Sequence, residues 1–324
     1  MLSIDEDALS VLVTGANKEI AYVEQFGSLR APYKAFRKNC YNNEQQEPSD
    51  HANNLRLYLL LAPSLVSDNN SLSAFCIRHP DINLENLKDP MDSSGLQIRS
   101  VLDWQHAAVL PLFLHAGMPY DIQNEEDDIS QSMTELKLPD DFDKLSQDKQ
   151  IWEKKLLHHR LVHYHYVLST AVHNRVHHKG LVYPFRNFCR RIFNYACAPW
   201  EGETIKMQYA LIEMVVGWDR FAKDDTPCPV VITPDEIDAA VKLGKELEVA
   251  DENKRMLRNY VGYGPETYVP TTQYEKAMAS SQGMKQEMLE VYSEDEEMTD
   301  DKRSLILPCW PLDDMDEAEF EEYL

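Results

Sequence analysis

Basic residues are few in this chain: 32 Lys and Arg stand against 55 Asp and Glu, a formal net charge of -23 at pH 7. Affinity for nucleic acid comes largely from Lys and Arg neutralising phosphates, so DNA and RNA are excluded as expected partners. Long apolar runs are lacking too. Residues 57–66 and 109–116 are about half as long as the roughly 20 residues that a membrane-spanning helix needs, and a soluble chain with no membrane span is expected. The six cysteines (Cys40, Cys76, Cys189, Cys197, Cys228, Cys309) form no C-x-x-C pair. Neither a thiolate zinc site nor a disulfide framework is suggested, and buried thiols in a reducing compartment are expected. The opening residues MLSIDEDALS carry acids where a presequence carries Lys or Arg, so no targeting segment is expected. Glycine is scarce as well: only Gly15 and Gly27 precede His79, which leaves no Gly-rich phosphate loop there.

What is present is a foldable chain, 324 residues with 43% hydrophobic side chains, enough for a sizeable core. Helical spacing predicts two or three helices within 15–70, a long core helix carrying Trp152, Leu156, Leu157, Leu161, Tyr164 and Leu168, and further helices near 185–195 and 205–221. Another is expected to open at Pro234, in the first-turn position that proline tolerates, and to run through Leu247. Between Ala74 and Trp104, short apolar runs broken by Asp, Asn, Pro and Gly predict a loop and a small hairpin. The fold class expected is α+β, mainly α. After Asp251 the chain turns charged. A Glu, Met and Lys-rich helix over 274–292 leads into the acidic ends DEEMTDD and DDMDEAEFEEYL, where Trp310, Pro311 and Phe320 are expected to dock back on the domain.

The informative stretch is His79-Pro80-Asp81-Ile82-Asn83-Leu84-Glu85-Asn86, followed by Val101-Leu102-Asp103-Trp104. It has the order H-x-D-x-x-x-x-N, then an apolar pair and Asp. Phosphoryl transfer wants such a set: a loop carboxylate to orient the attacking hydroxyl, an Asn to bind metal, and a strand-end Asp to bridge Mg2+ and phosphates. By spacing alone, ordinary turn polars read equally well.

These motifs resemble those of aminoglycoside phosphotransferases and related small-molecule kinases. VLDWQHAAVLPLFLHAGMP, LLHHRLVHYHYVLSTA, CAPWEGETIKMQYALIEMVVGWDRF, Cys228-Pro229 and WPLDDMDEAEF are similar to the fungal branch, which includes altered inheritance of mitochondria protein 9. The resemblance runs from about Gly15 to Tyr323. It implies Asp81 as catalytic base, Asn86 and Asp103 as Mg2+ ligands, His79 as a brace of the loop, and ATP as the phosphate donor to a small hydroxyl-bearing substrate. Pro80 stands where aminoglycoside kinases often have Gly, which stiffens the turn. The resemblance further implies residues 1–14 as an N-terminal remnant, 15–250 as the substrate-side lobe of a kinase-like fold, and 251–324 as an acidic helical extension. The nucleotide-gripping lobe, with its strand lysine, is expected to be absent from these residues, and Lys18 takes no phosphate-binding role. Two readings follow: a phosphotransferase whose complete form holds Mg2+ and ATP, and a non-catalytic scaffold that retains the lobe. A mitochondrial location is implied by resemblance alone.

Other patterns carry less. VLVTGAN (11–17) imitates the first turn of a dinucleotide fold, but Glu19 and Ala21 occupy the positions of the later glycines. His159 with His163, and His173 with His177, have i, i+4 metal-ligand spacing without an acidic base between them, and packing is the expected role. Trp104 and Trp200 are expected as core or loop anchors. Glu125, Glu126, Asp127 and Asp128 could receive a cationic substrate, but a run of like charge is expected to be a solvated insertion.

Overall fold

The computed structural model describes residues 7–83, 85–88, 98–124, 127–134, 136–222, 226–261, 269 and 271–294. In chain order its elements are α1 (Ala8–Phe26), α2 (Pro48–Leu61), α3 (Asn70–Ser73), β1 (Phe75–Arg78), β2 (Leu87–Lys88), β3 (Ser100–Val101), β4 (Ala108–Pro111), α4 (Leu112–His115), α5 (Asp128–Ser132), α6 (Gln147–His173), α7 (Arg175–Leu181), α8 (Arg186–Ala196), α9 (Ile205–Val216), α10 (Pro234–Val261) and α11 (Tyr274–Glu294). The architecture is α+β and mainly α, as the periodicity predicts. The expected docking of Trp310, Pro311 and Phe320 falls outside the described residues, as do Leu84, the 89–97 turn, Glu125, Glu126 and Cys309.

The chain divides into two compact units, each built from segments distant in sequence: 1–14 with 62–194, and 15–61 with 195–324. In the first, β1 pairs antiparallel with β4, placing Ile77 opposite Val109 and Phe75 opposite Pro111, while β2 pairs with β3. The chain turns straight from β4 into α4, whose Leu112, Phe113 and Leu114 are buried. Gly180 of α7 lies close to that region, and a Cβ there would stand 2.5 Å from the Cβ of Ala116. On the sheet, Ile77 and Val109 are exposed as cross-strand partners. Helix α6 departs from the expected core helix. Its apolar residues do not gather on one stripe, Trp152 is 64% exposed, and His163 is the residue it buries fully.

The acidic excursion contains one residue with a structural task. Asp127 caps α5, accepting from the Ser130 backbone N–H at 2.8 Å and from the Ser130 hydroxyl at 2.9 Å. The same carboxylate accepts from Arg160 Nε at 3.0 Å and Nη2 at 2.7 Å. Charge-assisted forked pairing of this kind is among the stronger polar contacts a side chain makes. At this position the expectation of a solvated acidic run is corrected: Asp127 is tied to α6 rather than repelled into water.

In the second unit the core runs along α9 and α10, where Ile205 and Ile212 meet Ala240 and Leu247. Tyr209 lies across Gly244 and donates its hydroxyl to the Ala240 carbonyl at 3.0 Å. A Cβ at Gly244 would stand 1.8 Å from that hydroxyl, so only glycine permits the approach. Pro234 opens α10 as expected, and the helix continues to Val261, beyond Leu247. Its start is a capping box: the Thr233 N–H donates to Glu236 Oε2 at 2.7 Å, and the Glu236 N–H donates to Thr233 Oγ1 at 3.3 Å. Arg37 is buried in the same unit, and its guanidinium donates to Asp251 Oδ1 at 2.9 Å and to Glu203 Oε1 at 3.1 Å. Trp200 is a core anchor, 4% exposed, with its indole N–H on the Ser28 carbonyl. Residues 11–17 are helical, which removes the strand that a dinucleotide fold needs. The five described cysteines are free thiols; Cys189 is buried, whereas Cys197 is exposed, contrary to the expectation of uniformly buried thiols.

The Arg160 guanidinium holds the Asp127 carboxyl well below the usual carboxylate range, from an ordinary value of 3.8. A depressed folded-state value contributes stability that is fully present above the unfolded value and is lost as the pH falls through the folded one. Arg160→Ala is therefore expected to lower the unfolding free energy by about 1–3 kcal/mol at neutral pH. In paired urea titrations of wild type and variant, the difference should narrow below pH 3.8.

Candidate functional site

The site grows out of the connection between β1 and β2. His79 follows the last residue of β1 and is 5% exposed. Its Nδ1 accepts the backbone N–H of Asp81 at 3.2 Å, which leaves the proton on Nε2. Nε2 then donates to the Leu102 carbonyl at 2.6 Å. One imidazole thus sets the start of the loop and holds it against the segment that follows β3. The edge of the same ring meets Trp104, with centroids 4.9 Å apart, and the Trp104 indole N–H returns to the Val101 carbonyl at 3.0 Å. Trp104 is a loop anchor by these contacts, yet 47% exposed rather than core.

Asn83, which the motif pattern does not single out, organises the loop from within. Its Oδ1 accepts from the backbone N–H groups of Glu85 at 2.9 Å and Asn86 at 3.0 Å, and its Nδ2 donates to Asp81 Oδ2 at 3.0 Å. The first two bonds are the turn-forming bonds of an Asx side chain, a signal present in the spacing of Asn83 and Glu85. Asn86 donates Nδ2 to the Asp81 carbonyl at 2.9 Å, with Asp81 Oδ2 at 3.4 Å. That orients the amide and leaves Oδ1 without a hydrogen-bond partner among the described residues. The Leu102 N–H donates to the Asn86 carbonyl at 2.9 Å, so the residue after Leu102 is delivered beside the loop.

That residue is Asp103, exposed and in the left-handed region at φ 60. A non-glycine residue there is uncommon, and Asp and Asn tolerate it best. His106, in the next turn, is also left-handed at φ 61. Asp81, Asn86 and Asp103 are therefore carried by one braced unit of backbone. Asn86 Oδ1 and the Asp103 carboxylate are hard oxygen donors of the kind Mg2+ prefers. Among the described residues, no group of three or more His, Cys, Asp or Glu side chains is gathered closely enough to hold a metal ion. The candidate ligands are instead one amide and one carboxylate.

The histidine pairs are placed elsewhere. His163 is buried and its Nδ1 accepts the Asn124 N–H at 3.1 Å, while His159 is exposed. His173 closes α6 whereas His177 belongs to α7, so the second pair does not share a helix. His177 Nε2 lies 3.4 Å from the Tyr166 hydroxyl, and burial pushes its pKa down.

The chain is 26% identical over 291 residues to a protein named Subtelomeric hrmA-associated cluster protein in each of two strains of Aspergillus fumigatus. The match covers 89% of this chain and 55% of each relative, so the chain spans about half the length of the curated relatives it matches. No family model matches the chain, and no solved structure matches it.

The left-handed backbone at Asp103 separates two substitutions that both remove its carboxylate. Asp103→Gly is expected to keep or raise the thermal midpoint, whereas the β-branched Asp103→Val should cost about 1–2 kcal/mol relative to it. Thermal denaturation of the two variants side by side checks this.

Proposed function

We propose that this chain carries the phosphoacceptor side of an ATP-dependent, Mg2+-assisted phosphotransferase of the aminoglycoside phosphotransferase-like kinase type. The observation that carries the reading is the bracing of the loop by His79, which brings Asp81, Asn86 and Asp103 onto adjoining backbone. The β1–β4 and β2–β3 pairings hold the two ends of that arrangement. The strained backbone at Asp103 supports it too, since sparsely populated conformations persist where surrounding structure over-determines them and cluster at functional sites.

In this reading Asp81 accepts a hydrogen bond from the acceptor hydroxyl and takes its proton as that oxygen bonds to the γ-phosphorus of ATP and ADP departs. Asn83 and Asn86 steady the Asp81 carboxylate from one side, leaving its other oxygen for the hydroxyl. Asn86 Oδ1 and Asp103 would hold Mg2+, which when bound neutralises phosphate charge. The chain spans about half of each relative, so the complete activity is a proposal for the whole protein.

The test uses two readouts. Turnover of MgATP by the full-length protein with a hydroxyl acceptor should fall by on the order of 10²–10⁴-fold in Asp81→Asn. Mn2+ binding, followed by electron paramagnetic resonance, should weaken in Asp103→Asn and Asn86→Ala. Turnover that persists in Asp81→Ala sinks the assigned mechanism, and Mn2+ binding indifferent to Asp103 sinks the metal assignment.

A further inference from the structure

A hollow of about 460 Å³ lies against the braced loop. This is within the range of about 300–1,000 Å³ typical of sites that enclose small molecules. Ile82, immediately after Asp81, forms one wall with Leu87 of β2. Pro119 and Ile122 supply a second wall, and Val162 and Tyr166 of α6 a third. Val162 and Tyr166 are four residues apart on one helix face, so α6 presents a continuous strip to the hollow. The Tyr166 hydroxyl lies 3.4 Å from His177 Nε2 and is hydrogen-bonded with Arg78, which draws its polar end away and leaves the ring as lining. This gives the weakly buried α6 a use that core packing does not account for.

The polar groups are few and placed unevenly. Asn83 lines the hollow and at the same time donates to Asp81 Oδ2 at 3.0 Å, so the hollow adjoins the loop carboxylate at that end. Asp121 is the lining carboxylate, and His158 and His159 face the same space from α6. One acid against two imidazoles is not a basket for a polycation. In the acidic run that might have supplied one, Asp127 is already held by Arg160.

The geometry points to this hollow as the acceptor-substrate site, and to its occupant as a neutral alcohol with a compact, mostly apolar body, its hydroxyl directed to the Asp81 end. This rests on the phosphotransferase reading for the fate of the hydroxyl, but occupancy of the hollow is measurable without ATP. The binding energy comes from apolar surface removed from water against Ile82, Leu87, Ile122 and Val162. A highly charged amino sugar would have to shed its hydration against a lining that offers it the single carboxylate of Asp121.

The test is saturation-transfer NMR titration of the protein with 4-phenylbutan-1-ol, cyclohexylmethanol and 1-octanol, with kanamycin as the polycationic comparison. At least one neutral alcohol should bind, at least tenfold more tightly than kanamycin, and its affinity should fall at least tenfold in Val162→Trp, which fills the hollow. Ile122→Trp fills it from a residue outside α6 and serves if the first variant does not fold. Alcohol binding is read without ATP or metal, whereas the phosphotransferase reading is tested by turnover and Mn2+ binding, so the two readings fail separately. No binding by any of the three alcohols overturns the inference. So does alcohol binding unchanged in both filled variants, or tighter binding of kanamycin that is lost in Asp121→Asn.

Discussion

A single imidazole with two committed nitrogens fixes the candidate site. The His79 ring accepts from the Asp81 backbone on one side and donates to the Leu102 carbonyl on the other, and it is buried while doing so. A buried polar ring satisfied at both nitrogens has one orientation and one neutral tautomer at low cost, because the other tautomer faces a donor with a donor and an acceptor with an acceptor, and a ring flip puts C–H groups where the nitrogens were. The two short strand pairs alone, of four and two residue pairs, are too small to position three side chains, since a two-stranded ladder is marginal in isolation. The imidazole supplies the cross-link between them, and the Asx turn of Asn83 then shapes what lies between.

The second unit solves a different problem, holding together residues far apart in a chain of high negative charge. Arg37 and Asp251 are 214 positions apart, yet they share a forked contact, with Glu203 joining from a third segment. Burying a guanidinium is costly unless its donors are met by oxygens, and here two carboxylates meet them. The pairing therefore selects one arrangement of the 35–41 turn against α10, while the apolar contacts of α9 and α10 provide the bulk of the burial.

What the sequence made legible was local, and what it concealed was tertiary. Pro234 marked the start of α10 because proline's fixed φ and missing donor suit a first turn. Its end was not, because α10 continues past Leu247 through Asp251, whose partner Arg37 is remote. The α6 residues matched a helical stripe in number but not in angle, so an expected core helix is half-exposed. Strand β4 went unread because its run AVLP leads directly into the buried LFLH turn, and a continuous apolar segment carries no period. Asp127 read as one of four like charges until Arg160, 33 positions on, was brought to it. At the candidate site, residue types and order were visible in the chain, whereas the bridging by His79 and the turn made by Asn83 are properties of the fold.

The left-handed conformation of Asp103 also bears on how such a site changes over generations. A position at φ 60 admits Gly, Asn or Asp readily and most other residues at a cost, whatever chemistry is done there. Selection for folding alone would keep that position within a narrow set. Asp81 and Asn86 carry no positive φ, so the backbone imposes no comparable filter on them. Under the proposed phosphotransferase reading, a lineage that abandoned catalysis would lose its signature at those two positions first.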